Sequence, residues 1–293
     1  MFYYFIVVLS VIGTAAVFSL NKIYQLKAGD GVINGVKKNI PMTIIICLMF
    51  FFMNGMKLHI NLFTFIMAFL MAVFSVFSVI VYYKGYANGS ISVFTMFQMQ
   101  GGMMLPFIYG VFYGNKLSAF AIIGIFLMII SLIIPFYKEK IRFSKSFTIL
   151  CVFIFIINGG ISIVSYIYSN NKQALNLYDY LIVYNILNAC ISIVTYFVLK
   201  SKNKFATVLK HDKNTLSLLW ILIISVSVVS GFSYYLQLLG ASHLPAVALY
   251  PMITGGAVIF TTIAGRILFK EKLSLKSYKG IIITAIATLF FIF

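Results

Sequence analysis

Long apolar runs separated by short polar gaps dominate the chain. Ten apolar segments stand out, at residues 2–20, 40–55, 61–83, 89–112, 117–136, 147–168, 177–199, 215–238, 243–266 and 275–293. The second is the shortest, and its helix is expected to begin earlier, near Gly31. Crossing a bilayer takes about 20 apolar residues in helical form. No segment alternates apolar and polar positions, so a β-barrel is not expected. In hydrocarbon each backbone donor and acceptor must be satisfied within the protein, which leaves helices. The pattern predicts an all-α integral membrane protein with ten transmembrane helices.

Composition supports this. Apolar residues make up 62% and charged residues 9%, against about 25% charged in a typical soluble domain. The net charge is +17. On a soluble protein that balance would suggest nucleic acid. Here the basic residues fall in the gaps between apolar runs, so the lipid bilayer is the expected partner and nucleic acid is not. The first run has no basic segment before it and no small-residue cleavage site after it, and it is read as a retained helix.

The basic residues also predict orientation. All but three of the 22 Lys and Arg residues lie in the odd-numbered connections, counting the first-to-second helix gap as one. The exceptions are Lys57, Lys116 and Lys172. The positive-inside rule then puts the odd connections in the cytoplasm and both termini outside.

A repeat runs through the chain. YGNKLSAFAIIG at residues 113–124 recurs as FKEKLSLKSYKG at 269–280. An offset of 154 places Gly101-Gly102 on Gly255-Gly256, Ala87 on Ala241 and Val93 on Val247. An offset of 156 places Lys116-Leu117-Ser118 on Lys272-Leu273-Ser274 and Gly124 on Gly280. Paired tyrosines, Tyr82-Tyr83 and Tyr234-Tyr235, precede each copy. Each unit holds five helices, residues 1–140 and 141–293. Five is odd, so tandem units enter the membrane with opposite orientation, as in many secondary transporters. Ser118 and Ser274 are read as caps of the last helix of each unit.

The stretch GASHLPAVALYPMITGGAVIF at 240–260, the KEKLS turn and the last helix after Gly280 resemble the ten-helix drug/metabolite transporter superfamily, EamA type. The residues carrying the resemblance are Ala241, Pro251, Glu271, Leu273, Ser274 and Gly280, with Ala87, Leu117, Ser118 and Gly124 in the first unit. Asn115 departs from the usual Glu, and Phe97 aligns with Pro251. The resemblance implies a permease. It also implies cytoplasmic termini, opposite to the charge count.

Candidate chemistry is polar and uncharged. No Asp or Glu lies mid-run, which disfavours proton-coupled export of cations. Asp179 reads as a helix N-terminal residue held by the dipole. Arg266 reads as an interfacial anchor, or as a counter-charge for an anion. The cavity candidates are Thr95, Gln98, Asn158, Ser162, Tyr166, Tyr234, Gln237, Tyr250 and Thr254. Amides and hydroxyls need partners in hydrocarbon, so these should point inward. Ser165, Tyr184, Asn185, Asn188, Ser230 and Ser233 share the pattern. Tyr82, Tyr83 and Tyr86 read as an interfacial aromatic belt. Gly101, Gly102, Gly255 and Gly256 are packing points, with Pro106 and Pro251 as hinges or kinks.

Cys47, Cys151 and Cys190 have no CxxC spacing, and His59, His211 and His243 are scattered, so no metal site or cofactor is expected. The absence of a phosphate loop argues against an intrinsic ATPase. The expectation is a multi-pass plasma-membrane transporter, not an enzyme, working as a monomer or homodimer. It would be secondary active or facilitative, and would export a small metabolite such as an amino acid by alternating access. A lipid-carrier flippase subunit and an intramembrane lipid-modifying enzyme are the alternatives.

Overall fold

The computed structural model describes residues 2–112, 118–134, 144–202, 213–244 and 246–290. The boundary between the two units, Gly114, Asn115, Lys116 and Leu117, and the side chains of Tyr250 and Pro251, lie outside the described residues.

Among the described residues there are ten helices and no strand. They are α1 (Phe2–Ala28), α2 (Val32–Met53), α3 (Leu62–Asn88), α4 (Ile91–Phe112) and α5 (Ala119–Ile133), then α6 (Lys145–Ser169), α7 (Leu177–Lys202), α8 (Lys213–Ala241), α9 (Ala246–Phe269) and α10 (Leu275–Leu289). Eight of them are long and apolar enough to cross a membrane. Large apolar side chains cover the outside, among them Phe5, Leu48, Phe126, Phe153, Phe197 and Ile267. So continuous an apolar exterior suits lipid rather than water.

The helix starts follow capping chemistry. Asn61 accepts from the Thr64 N–H at 2.7 Å, Ser144 from Phe147 at 3.1 Å and Ser274 from Ser277 at 3.1 Å. Each satisfies one of the donors that a helix N-terminus leaves open. Ser118 stands just before α5, where its carbonyl accepts from the Ile122 N–H.

One connection is much shorter than the apolar pattern suggests. The gap between the apolar runs, 21–39, shrinks to residues 29–31: α2 begins at Val32, next to the start expected near Gly31, and α1 runs on to Ala28, beyond its apolar run. The polar residues of that stretch find partners inside the protein. Gln25 donates to the Tyr83 carbonyl at 2.6 Å, and Lys22 donates to the Tyr86 carbonyl. Gly29 closes α1 at φ 94°, accepting the left-handed conformation that a Cβ disfavours. Asn34 then donates to the Ala28 carbonyl at 2.7 Å.

α1 packs on α8 and α9, and α6 packs on α3 and α4. α2 packs on α7, α4 on α9, and α5 on α10. Glycines allow the close crossings. A Cβ on Gly101 would fall 2.0 Å from the Phe155 carbonyl oxygen of α6, and one on Gly256 would fall 2.7 Å from Val11 of α1. Gly102 abuts Asn158 and Gly255 abuts Thr288 in the same way. Pro106 lies inside α4, and α2 carries Pro41, which cannot donate to the Lys37 carbonyl one turn earlier.

Polar clusters tie these contacts together. Asn39 donates to Asn188 at 2.8 Å and to Ser192 at 2.9 Å, joining α2 to α7. Gln100 donates to Ser131 at 2.8 Å and to Thr284 at 2.6 Å, joining α4, α5 and α10.

Candidate functional site: a polar cavity between the helices

Eight helices, α1 to α4 and α6 to α9, surround a cavity of about 300 Å³. Among the described residues, α5 and α10 contribute nothing to its wall, and neither does any Asp, Glu, Lys, Arg or His. The wall is built of amides, hydroxyls, tyrosines and apolar side chains.

Six of the sequence candidates come together here: Gln98, Asn158, Ser162, Tyr234, Gln237 and Thr254. Asn158 on α6 donates to the Gln98 carbonyl at 2.7 Å, which fixes its amide against α4. The missing side chain of Gly102 makes room for this contact. Tyr234 and Ser165 share a hydrogen bond of 3.0 Å across α8 and α6. Gln237 donates to Thr14 at 3.0 Å, joining α8 to α1. The Gln98 Oε1 and the Ser169 Oγ have no protein partner, although both atoms are buried. Buried polar atoms without partners are uncommon and cost stability, so these two are open to a ligand.

Thr95 and Tyr166 lie elsewhere. Thr95 is buried at the crossing of α4 and α9, 3.2 Å from the Thr261 hydroxyl. Tyr166 packs edge to face on Tyr109, with ring centroids 6.4 Å apart.

The first three helices supply wall residues outside the candidate set, including Thr14, Asn21, Asn39, Thr43, Ser75 and Ser78. A helical period marks them in hindsight. Thr14 and Asn21 are seven apart, and Ser75, Ser78, Tyr82 and Tyr86 fall three, four and four apart on one stripe of α3. Asn21 lies on α1 beyond the apolar run 2–20, and Asn39 lies on α2 just before the apolar run 40–55.

The tyrosines of α3 are not an interfacial belt. Tyr83 is 0% and Tyr86 2% exposed, and Tyr82 lines the cavity with Tyr86. Behind the wall residue Phe50, Tyr178 and Tyr235 stack with centroids 5.2 Å apart and their hydroxyls 2.9 Å apart.

Asp179 and Glu271 hold a turn and a helix start rather than the cavity. Asp179, 1% exposed in the first turn of α7, accepts from the Asn54 amide at 2.9 Å and the His59 N–H at 3.0 Å. Glu271 accepts from the Ser90 and Ser92 hydroxyls at 2.9 and 2.7 Å. Arg266 donates to the Tyr278 hydroxyl of α10, away from the cavity wall. Lys38 counts among the basic residues of the first connection, yet it is 1% exposed within α2.

No protein-family profile matches the chain, and no curated protein matches it. A solved structure titled "Crystal structure of protein" superposes with a TM-score of 0.67 at 9% identity, covering 97% of this chain and 95% of that one. At that identity the likeness is one of fold alone.

Proposed function

We propose that the chain is a plasma-membrane transporter that moves a small polar metabolite by alternating access between two inverted five-helix halves. The observation that carries this reading is the cavity, whose wall draws on four helices from each half. Its volume lies near the lower end of the range for small-molecule sites.

The packing fits a two-fold relation between the halves. Exchanging α1–α5 with α6–α10 turns the α1–α8 contact into α6–α3 and the α1–α9 contact into α6–α4, and all four are present. It maps the α2–α7, α4–α9 and α5–α10 contacts onto themselves. Gly102 meets α6 and Gly256 meets α1, again as equivalents. Sites between such repeats are where alternating access operates. This is also the arrangement that the resemblance to the EamA-type permeases implies.

Reconstitution into sealed vesicles tests the reading. The wild type should accumulate a labelled small metabolite from a panel of amino acids and organic acids, and a cavity-filling Ser162→Trp variant should not.

A further inference from the structure

Lys38 is the seventh residue of α2, about 9 Å along the axis from its start at 1.5 Å per residue. Its side chain is wholly buried. The ammonium donates to the Asn21 side-chain oxygen and lies 5.3 Å from the centre of the Tyr24 ring and 6.0 Å from that of Tyr82. All three contacts are to neutral groups. Among the described residues no carboxylate pairs with it.

A buried charge without a counter-charge is costly, and such residues inside a span mark functional sites by default. The chain has five acidic residues. Asp179 is engaged with His59 near the start of α7, and Glu271 with the start of α4. Asp30 is exposed in the turn after α1, and Glu139 and Asp212 lie outside the described residues. Nearby, Lys22 donates to the Tyr86 carbonyl, with its ammonium 5.9 Å from that ring's centre. Two cations thus sit behind one end of the cavity, facing it through Asn21, Tyr82 and Tyr86, which are wall residues. Asp30 and Glu271 lie within electrostatic reach of Lys22, but among the described residues no acidic residue lines the wall and no carboxylate pairs with Lys38.

We infer that this end of the cavity is an anion subsite, and that the transported molecule is a small organic anion whose carboxylate or phosphate is held at Asn21 with Lys38 behind it. This rests on the transporter reading. Lys38 acts as a positioning residue: it supplies the charge, and Asn21 presents it. The bound anion is the counter-charge that Lys38 lacks among the described residues. The Gln98 Oε1, buried and without a partner elsewhere in the wall, accepts a donor from the rest of the same molecule.

The test is uptake by vesicles holding the purified full chain. The probes are matched pairs: succinate with succinamide, glutamate with glutamine, and glycerol 3-phosphate with glycerol. The wild type should favour the anion of at least one pair by about tenfold, the scale expected for one charge acting through a partly polar wall. Lys38→Gln should bring that ratio close to one, and Lys38→Arg should keep it. Asn21→Ala should also lower the ratio, which covers the case in which Lys38→Gln does not fold. The pair that responds separates carboxylate from phosphate. An unchanged ratio in folded Lys38→Gln overturns the subsite. So does equal uptake of both members by the wild type, which leaves the transporter reading standing. Uptake of no probe at all contradicts the transporter reading and the subsite together.

Discussion

The Glu271 carboxylate accepts a hydrogen bond of 2.7 Å from the backbone N–H of Ile91, 180 residues earlier in the chain. Ile91 is the first residue of α4, so the turn between α9 and α10 caps a helix of the other half. The hydroxyls of Ser90 and Ser92 complete the carboxylate's shell. A negative charge at a helix N-terminus is also favoured by the dipole. The preceding Lys270 adopts φ 50°, and the Glu271 N–H bonds back to the Gly265 carbonyl at 3.1 Å, which aims the carboxylate. Glu271→Ala should lower stability by about 2 kcal/mol, since charge-assisted bonds are the stronger kind. Glu271→Gln should cost less. Thermal melting of the purified protein in detergent, with both variants side by side, checks the order.

Close helix crossings give a second expectation. Gly101→Ala places a methyl group against the Phe155 backbone, which cannot rotate away. A loss of about 1–3 kcal/mol is expected from such overpacking. Gly31→Ala is the control, because its Cβ would meet only ordinary contacts, the nearest at 3.7 Å. Equal melting temperatures for the two variants would contradict the crossing of α4 and α6.

The polar junction of α2 and α7 predicts a third result. Asn188 accepts from Asn39 and donates to Ser75 and Tyr184, at 3.0 and 3.1 Å. Asn188→Leu leaves the buried Asn39 amide with one fewer partner, so a loss of about 1–3 kcal/mol is expected. Asn39→Leu on top of it should add less than it costs alone, because the two share one bond. Full additivity in denaturation of the double variant would mean that the bond does not matter.

Orientation is open to labelling. With Cys47, Cys151 and Cys190 replaced, Lys57→Cys should react with an impermeant thiol reagent on intact cells. Lys270→Cys should react only after permeabilisation. Both side chains are exposed, on the α2–α3 and α9–α10 turns. The opposite pattern would invert the topology and agree with the resemblance instead of the charge distribution.

Much of the fold was legible because lipid leaves few choices. An apolar run of sufficient length must be a helix; ten were expected, and among the described residues ten helices are present, eight of them long and apolar enough to cross a membrane. The start of α2 near Gly31 was legible, but the end of α1 was not. Asn21, Lys22 and Gln25 look like loop residues until the partners that bury them are known, and those partners lie on α2 and α3. The candidate site was read in part. Gln98, Asn158, Ser162, Tyr234, Gln237 and Thr254 stood out as polar residues within apolar runs. Thr95 had the same appearance, but its hydroxyl joins two helices beside the cavity, and only three-dimensional packing separates those roles. Glu271 was legible as a motif residue but not as a cap on α4, because nothing local marks a contact spanning 180 positions.

Flux through the cavity decides the transporter reading. In sealed vesicles carrying the wild type, preloading with an unlabelled anion from the probe panel should accelerate uptake of the same labelled anion. Ser162→Trp, in the cavity wall on α6, should abolish that exchange while the protein keeps its melting temperature and elution volume. Exchange at the wild-type rate through the filled cavity would contradict the account.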